Sequence, residues 1–467
     1  MTSYLSSTER LPTKQHYLKV KKLLNPDKKQ RGIIYHRGSD IQLRDDTDVE
    51  LGFRNESNFV YLTGVEDAGF HVVIDLETDL IYLIPPTIPD GDVLWNGPPD
   101  SPVALLQKYD VDSIITEADL PNLLTQLNSQ VIHCLDTTDT TALCEAGVDC
   151  NLINFTALKG AIHEARLTKF PWELELIRYA CHISSHAHIA LMQHTKPRQR
   201  EWELEARFRW ECAKNGMQIQ CYLPIIASGP RAATLHYTKN NQVIPSGPHS
   251  LVLVDAGGER RCYGSDVTRT FPASGTFSQE ARTIYEIVLK VQEAILERLK
   301  PGVFWPDMHR LAIHILAHEL LRIGILVNGT ASELIETGVI RAFYFHGTGH
   351  SVGLDVHDVG GQGVGVLASN STNSNSINEQ YILRKPLEKD MVITVEPGLY
   401  FNKTSLAMWT RVPYLRKYFN MERIEQYLPV GGVRIEDTVL ITETGIDNLT
   451  VAPKTVKDIE AVMAMEK

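Results

Sequence analysis

The sequence predicts an α+β protein of two domains: a mixed α/β domain over residues 1–160 and a larger domain over residues 161–467 made of two related halves. Three observations predict it. The chain has 467 residues, more than one core usually organises, since domains centre on about 100–150 residues. Strand-like and helical stretches alternate up to about residue 160. Beyond that point an order of two helices followed by several strands occurs twice, which suggests a duplicated half. No residue-level identity links the halves, so the duplication rests on element order alone.

In the first domain, residues 14–24 read as a helix, with Lys14, Lys19, Lys21 and Lys22 on its solvated face. Gly32-Ile-Ile-Tyr follows as a first strand. Phe59-Val-Tyr-Leu-Thr-Gly, Gly69-Phe-His-Val-Val-Ile-Asp-Leu and Leu80-Ile-Tyr-Leu-Ile-Pro-Pro are short runs of β-formers bounded by turn residues, and are expected as strands. A helix over 103–109 and a strand over 111–115 complete the set. No catalytic residues are concentrated here; Arg44, Asp45, Asp46 and Asp48 read as a solvated turn.

The second domain opens on Pro171, well placed in the first turn of a helix, where its missing N–H costs nothing. Leu174, Ile177, Cys181, Ser184 and His188 then repeat at helical spacing. A second helix spans about 201–214, and strand runs follow at 222–227, 251–254 and 263–271. The order then recurs: helices over 279–299 and 306–323, strands over 342–345, 391–395 and 433–441. Between the last two helices' strands lies a Ser/Asn-rich stretch, 368–378, whose composition cannot bury a core and reads as a surface loop.

Composition excludes several functions. A net charge of -11 argues against nucleic acid and against an anionic membrane surface as partners. No apolar run of about 18 residues is present, and the amino terminus lacks a signal-like apolar core. Seven scattered cysteines without a Cys-x-x-Cys pair fit a reducing compartment, so a cytoplasmic location is expected.

The chemistry concentrates in residues 346–358, His-Gly-Thr-Gly-His-Ser-Val-Gly-Leu-Asp-Val-His-Asp. His346, His350 and His357 are interleaved with Gly347, Gly349 and Gly353, and each glycine would cost a helix about 1 kcal/mol. Irregular backbone is therefore expected. Elsewhere, four carboxylates interrupt apolar strands: Asp255 after Leu251-Val-Leu-Val, Asp266 in Tyr263-Gly-Ser-Asp, Glu396 in Val392-Ile-Thr-Val-Glu-Pro-Gly, and Glu436 in Gly432-Val-Arg-Ile-Glu. Gly257-Gly258 offers a turn that would pair the strands of Asp255 and Asp266, and Glu436 is expected mid-strand on the face of Arg434. Burying one unpaired charge costs several kcal/mol. Four such charges beside a glycine-framed histidine point to a shared cation, and two divalent ions would offset them. Carboxylates with one imidazole suit Mn²⁺, Co²⁺ or Zn²⁺. Two other histidine pairs are set aside: His314 and His318 lack the second histidine of a zincin motif, and His182 and His186 have no carboxylate nearby.

Asp255-x10-Asp266, His350 in His-Gly-Thr-Gly-His, Glu396-Pro-Gly-Leu-Tyr and Arg434-Ile-Glu436-Asp, in that order, resemble the aminopeptidase P and prolidase branch of the pita-bread (creatinase-like) metallopeptidases. The match covers most of 165–467, and the first domain resembles the creatinase-like α/β domain that precedes the catalytic domain in that branch. The resemblance implies a pita-bread fold with duplicated halves and an exopeptidase that releases the residue ahead of a proline in second position. It implies two divalent metals, manganese first, with cobalt or zinc as alternatives. Asp255 would bind one metal, Asp266 and Glu436 would bridge both, and His350 and Glu396 would hold the other. Glu396 would also shuttle a proton. His346 and His357 would contact the scissile carbonyl and its oxyanion, His236 would be a further active-site histidine, and Tyr400 and Arg434 would line the proline pocket. For Arg434 a structural salt bridge orienting Glu436 is nearly as good a reading. Asp355 and Asp358 are expected as supporting residues. The resemblance also implies a homodimer and small peptide substrates. Two alternatives stay open: a prolidase confined to Xaa-Pro dipeptides, which would need a cation such as Arg411 or Arg416 to read the dipeptide carboxylate, and a metal-free relative that only binds peptides or proteins.

Overall fold

The computed structural model describes residues 9–24, 31–360 and 385–465; the Ser/Asn-rich stretch lies outside them. The chain divides into two compact units, 1–167 and 168–467. The boundary falls beyond residue 160 because the helix Ala157–Leu167 buries Leu158, Ala161, Ile162 and Ala165 and packs on the first helix, Lys14–Leu24.

The first unit holds a six-stranded sheet. Its strands are β1 (Gly32–Arg37), β2 (His71–Asp75), β3 (Ile81–Ile84), β4 (Ser113–Ile114), β5 (Val131–His133) and β6 (Ile153–Asn154), in the order β4-β3-β2-β1-β5-β6. The run at residue 59 is not a strand. Ser57–Thr63 is a helix because the Glu56 carboxylate accepts from the backbone N–H groups of Asn58 and Phe59, and Gly64 closes it at φ 72°. Capping at both ends overrides the β-preference of Phe, Val and Tyr.

The second unit repeats one arrangement. Helices Pro171–His194 and Glu201–Ala213 precede a sheet of β7 (Ile225–Ser228), β8 (Leu251–Asp255) and β11 (Thr268–Pro272), ordered β11-β8-β7. The pair β9 (Glu259–Arg260) and β10 (Tyr263–Gly264) is inserted between β8 and β11. Helices Gln279–Leu296 and Trp305–Arg322 precede a second sheet, β12 (Val392–Val395), β15 (Asp437–Ile441) and β16 (Ile446–Asn448), ordered β12-β15-β16. A further antiparallel pair joins β13 (Gly398–Tyr400) to β14 (Gly432–Arg434). The duplication predicted from element order is therefore present, as is the two-part α+β architecture.

Three details differ from expectation. Residues 342–345 are not a strand: Ala342 ends a short 3-10 turn, Val339–Ala342, and 343–345 follow it as irregular backbone. The turn near Asp255 is made not by Gly257-Gly258 but by Arg261 and Cys262, at φ 50° and 65°, in a two-residue hairpin between β9 and β10. Finally, the long runs 263–271 and 433–441 each break once, between β10 and β11 and between β14 and β15. Asp266 and Glu436 sit in those breaks.

Candidate metal centre

The site forms where strand ends of the two halves come together, with Thr268 at the start of β11 bridging Glu436 just before β15. β8 and β11 pair with Asp255 opposite Thr268, so Asp255 ends its strand beside the second carboxylate segment. The break holding Asp266 is pinned by Thr438, whose hydroxyl donates to the Asp266 carbonyl at 2.7 Å. The break holding Glu436 is pinned from the other side, its N–H donating to the Thr268 carbonyl at 3.0 Å.

Residues 346–358 are irregular, as predicted, and run beside β12: the N–H of Thr394 donates to the His350 carbonyl at 2.8 Å and that of Glu396 to the Thr348 carbonyl at 2.9 Å. Gly349 is required here. It sits at φ 157°, and a Cβ would lie 2.1 Å from the Thr394 carbonyl oxygen and 2.7 Å from the Trp305 ring. Gly347 faces open space. The helix Trp305–Arg322 holds the same loop: Trp305 Nε1 donates to the Gly349 carbonyl at 2.9 Å, and His309 Nδ1 bonds Thr348 Oγ1 at 2.7 Å.

The structure brings the predicted ligands together. Atoms of Asp266, His350 and Glu436 lie within 4.8 Å of one another. His350 Nε2 is 3.4 Å from both Asp266 Oδ2 and Glu396 Oε1. Its Nδ1 meets the Ser351 carbonyl at 3.0 Å; a carbonyl only accepts, so the proton is on Nδ1 and the Nε2 lone pair faces the carboxylates. Burial, then the charge of Asp255, pushes the Asp266 carboxyl up to about 8. Burial holds Glu396 and Glu436 well above the usual carboxylate range, with Glu436 and Asp266, respectively, as the next cause. The group repels itself.

These residues fit a divalent cation pair. Asp255 Oδ1 and Glu436 Oε1 are buried and accept no hydrogen bond among the described residues, and buried acceptors are rarely left so. The remaining oxygens are aimed by neighbours that the sequence analysis overlooked. Tyr222 Oη donates to Asp266 Oδ1 at 2.6 Å, Thr268 Oγ1 to Glu436 Oε2 at 2.6 Å, and Thr394 Oγ1 to Glu396 Oε1 at 3.4 Å. Thr394 stands two residues before Glu396 at the end of β12, a spacing that puts both on one face; Thr268 and Tyr222 reach carboxylates on other segments, and nothing local marked them.

Arg434 is buried and contributes three bonds: Nη2 to Asp255 Oδ2 at 2.5 Å, Nη1 to Tyr400 Oη at 3.0 Å and Nε to Thr268 Oγ1 at 3.1 Å. Tyr400, also buried, reaches His346 Nε2 at 2.8 Å. His346 Nδ1 meets the Gly347 carbonyl at 2.6 Å, so both ring nitrogens are engaged, and a substrate contact by His346 requires one bond to open. Burial, then the Arg434 charge, lowers the His346 imidazole to about 3. His357 packs its ring edge-on against His350, centroids 4.3 Å apart, while remaining exposed. His236 is exposed too, near enough to depress both His346 and His357.

Other predicted residues stand apart. Asp358 forms a buried ion pair with Lys169 at 3.2 Å, each side chain 1% exposed. His182 and His186 bond each other at 3.1 Å on an exposed helix face. Glu319, beside His318, turns to Lys290 and Arg322. Arg411 and Arg416 are both exposed.

The family model for metallopeptidase family M24 matches residues 175–443, so this fold and this site define a metallopeptidase, and the chain belongs to that family. The amino-terminal domain of aminopeptidase P matches residues 16–133, which narrows the membership to the aminopeptidase P group. A probable Xaa-Pro aminopeptidase of Coccidioides posadasii is 38% identical, over 97% of each chain. Among solved structures, an aminopeptidase of Pseudomonas aeruginosa superposes with a TM-score of 0.81 at 31% identity, covering 97% of this chain and 98% of that one. Zinc-substituted Escherichia coli aminopeptidase P in complex with product gives 0.79 at 29% identity, covering 97% and 99%.

Proposed function

We propose that this metallopeptidase is an Xaa-Pro aminopeptidase, releasing the amino-terminal residue from peptides with proline in the second position. The observation that carries the reading is the convergence of Asp266, His350 and Glu436, together with buried oxygens of Asp255 and Glu436 that accept no hydrogen bond among the described residues, in a chain related along its length to proteins of that name.

Asp255, Asp266, His350, Glu396 and Glu436 would hold two divalent cations, manganese by preference and cobalt or zinc as alternatives. When bound, such ions supply Lewis acidity toward a carbonyl and lower the pKa of a bound water. The chain's own residues do the rest. Glu396 stands 3.4 Å from His350 and 3.8 Å from His346, between ligand cluster and substrate side, and carries a proton to the departing prolyl nitrogen. His357 and His236, exposed at the rim, contact the carbonyl and its oxyanion. Arg434 orients Asp255, and Tyr400 links it to His346. Together they form the wall against which a proline ring packs. A bond ahead of proline is a tertiary amide without N–H, so recognition falls to such side chains rather than to strand-like backbone pairing.

The compartment we propose is the cytoplasm: the seven cysteines are free, as a reducing environment keeps them, and no described helix is long and apolar enough to cross a membrane. The partners are small peptides, with a homodimer as the expected assembly. The test is hydrolysis of Xaa-Pro-Pro against Xaa-Pro by manganese-loaded protein. Cleavage of the tripeptide is expected; cleavage of the dipeptide alone would make the protein a prolidase.

A further inference from the structure

We propose that Glu201 is a positioning residue that holds His236 at the substrate side of the metal centre; the inference rests on the substrate role given to His236 above. Glu201 begins the helix Glu201–Ala213 and is fully buried. A buried carboxylate is costly unless its lone pairs are filled, and all its donors come from one stretch, residues 228–242. Oε1 accepts from Ser228 N at 3.1 Å, Ser228 Oγ at 2.7 Å and Arg231 Nε at 3.0 Å. Oε2 accepts from Tyr237 Oη at 2.8 Å and Gln242 N at 3.0 Å. The beginning, middle and end of the loop are thus tied to one side chain.

His236 sits inside this knot. Its neighbour Tyr237 turns inward to Glu201, and burial with that contact pushes the phenol up to about 12, so it stays a donor. Leu235 and Tyr237 pack on the cluster that contains Tyr400, the residue bonded to His346. His236, between them, is left exposed, near enough to help lower His346 and His357. One helical turn on, Glu205 Oε2 accepts from Asn240 Nδ2 at 2.8 Å, and Asn240 Oδ1 in turn accepts from Ile226 N at 2.8 Å. An imidazole on an otherwise irregular loop is thereby fixed relative to β7 and the metal centre. Among the described residues Glu201 forms no hydrogen bond or ion pair with any of the five proposed metal ligands, so its influence reaches the reaction through the loop.

The experiment is a double-mutant cycle on the metal-loaded enzyme. Glu201→Gln keeps the size but offers an amide N–H where backbone N–H groups need an acceptor. It should lower kcat/KM by about 10- to 100-fold, the scale of a 1 Å misplacement, with bound metal unchanged. Combined with His236→Ala it should add nothing beyond His236→Ala alone, to within about twofold. Tyr237→Phe removes a single bond; it should give a smaller loss of the same non-additive kind, and it carries the test if Glu201→Gln fails to fold. Additive losses, or full activity in Glu201→Gln and Tyr237→Phe while His236→Ala is impaired, would overturn the positioning role. Full activity in His236→Ala would instead remove the substrate role of His236, and the inference with it.

Discussion

Glu436 and Asp437 are consecutive in the chain and both buried, yet the protein treats them in opposite ways. Glu436 faces Asp266 and Asp255 and is held well above the usual carboxylate range by burial and their charge. Asp437 faces Arg269, Lys454 and Asn448, at 2.7, 2.6 and 2.8 Å, and despite its burial is held below that range by those partners. Arg269 completes its shell with the carbonyls of Thr268, Glu436, Ala452 and Pro453. One side of β15's first turn of chain is electrically closed, the other open. A fold that can satisfy Asp437 so fully could have satisfied Glu436; leaving it open is what a cation site requires.

The contrast can be broken in order of expected effect. Glu436→Gln and Asp266→Asn should each abolish metal retention at the shared position and lower kcat/KM by roughly 10³-fold or more, while the metal-free protein unfolds no more readily than wild type, because a repulsion has been removed. Elemental analysis with denaturant unfolding of the stripped protein checks both halves, and a clear destabilisation would contradict the open-side reading. Asp437→Asn should do the reverse, destabilising the fold by about 3–5 kcal/mol by leaving Arg269 buried and uncompensated; a neutral result would show the closed side is not structural. Next come the orienting hydroxyls. Tyr222→Phe and Thr268→Val should weaken metal affinity about 10- to 100-fold, read by titration calorimetry, without the stability loss of Asp437→Asn.

The smallest effect concerns pH. His188 lies behind β8, fully buried, with Nε2 3.0 Å from the Ala256 carbonyl, and burial lowers it from 6.5 to about 4. Between those values the unfolded chain binds the extra proton, so stability rises with pH there and is lost as pH falls below about 6.5. The contribution is about 1–2 kcal/mol between pH 7 and 5, and His188→Gln should flatten the profile in urea unfolding curves.

Much of this was legible in the sequence because its signals were costs. A carboxylate ending an apolar strand, as at Asp255, needs a reason, and four of them needed a common one. The duplicated halves were visible because helix and strand periods differ. What escaped was set by distant partners. The run from Phe59 to Gly64 looked extended until the Glu56 carboxylate and Gly64 capped the helix Ser57–Thr63. The breaks at Asp266 and Glu436 depend on Thr438 and Thr268, each more than a hundred residues away. Tyr222 and Glu201 carry no local mark, since an ordinary tyrosine and an ordinary helix-starting glutamate look the same wherever they point.

The loop between His346 and His350 has two glycines that the sequence writes alike. At 349 any side chain would strike the Thr394 carbonyl and the Trp305 ring, while at 347 nothing lies within 4 Å. A library randomised at both codons and selected for activity should therefore return glycine at the first of these and a broad mixture at the second. The loop would diversify on its outer side only, which marks position 347 as the place to attach a probe or a new substrate contact without disturbing His350.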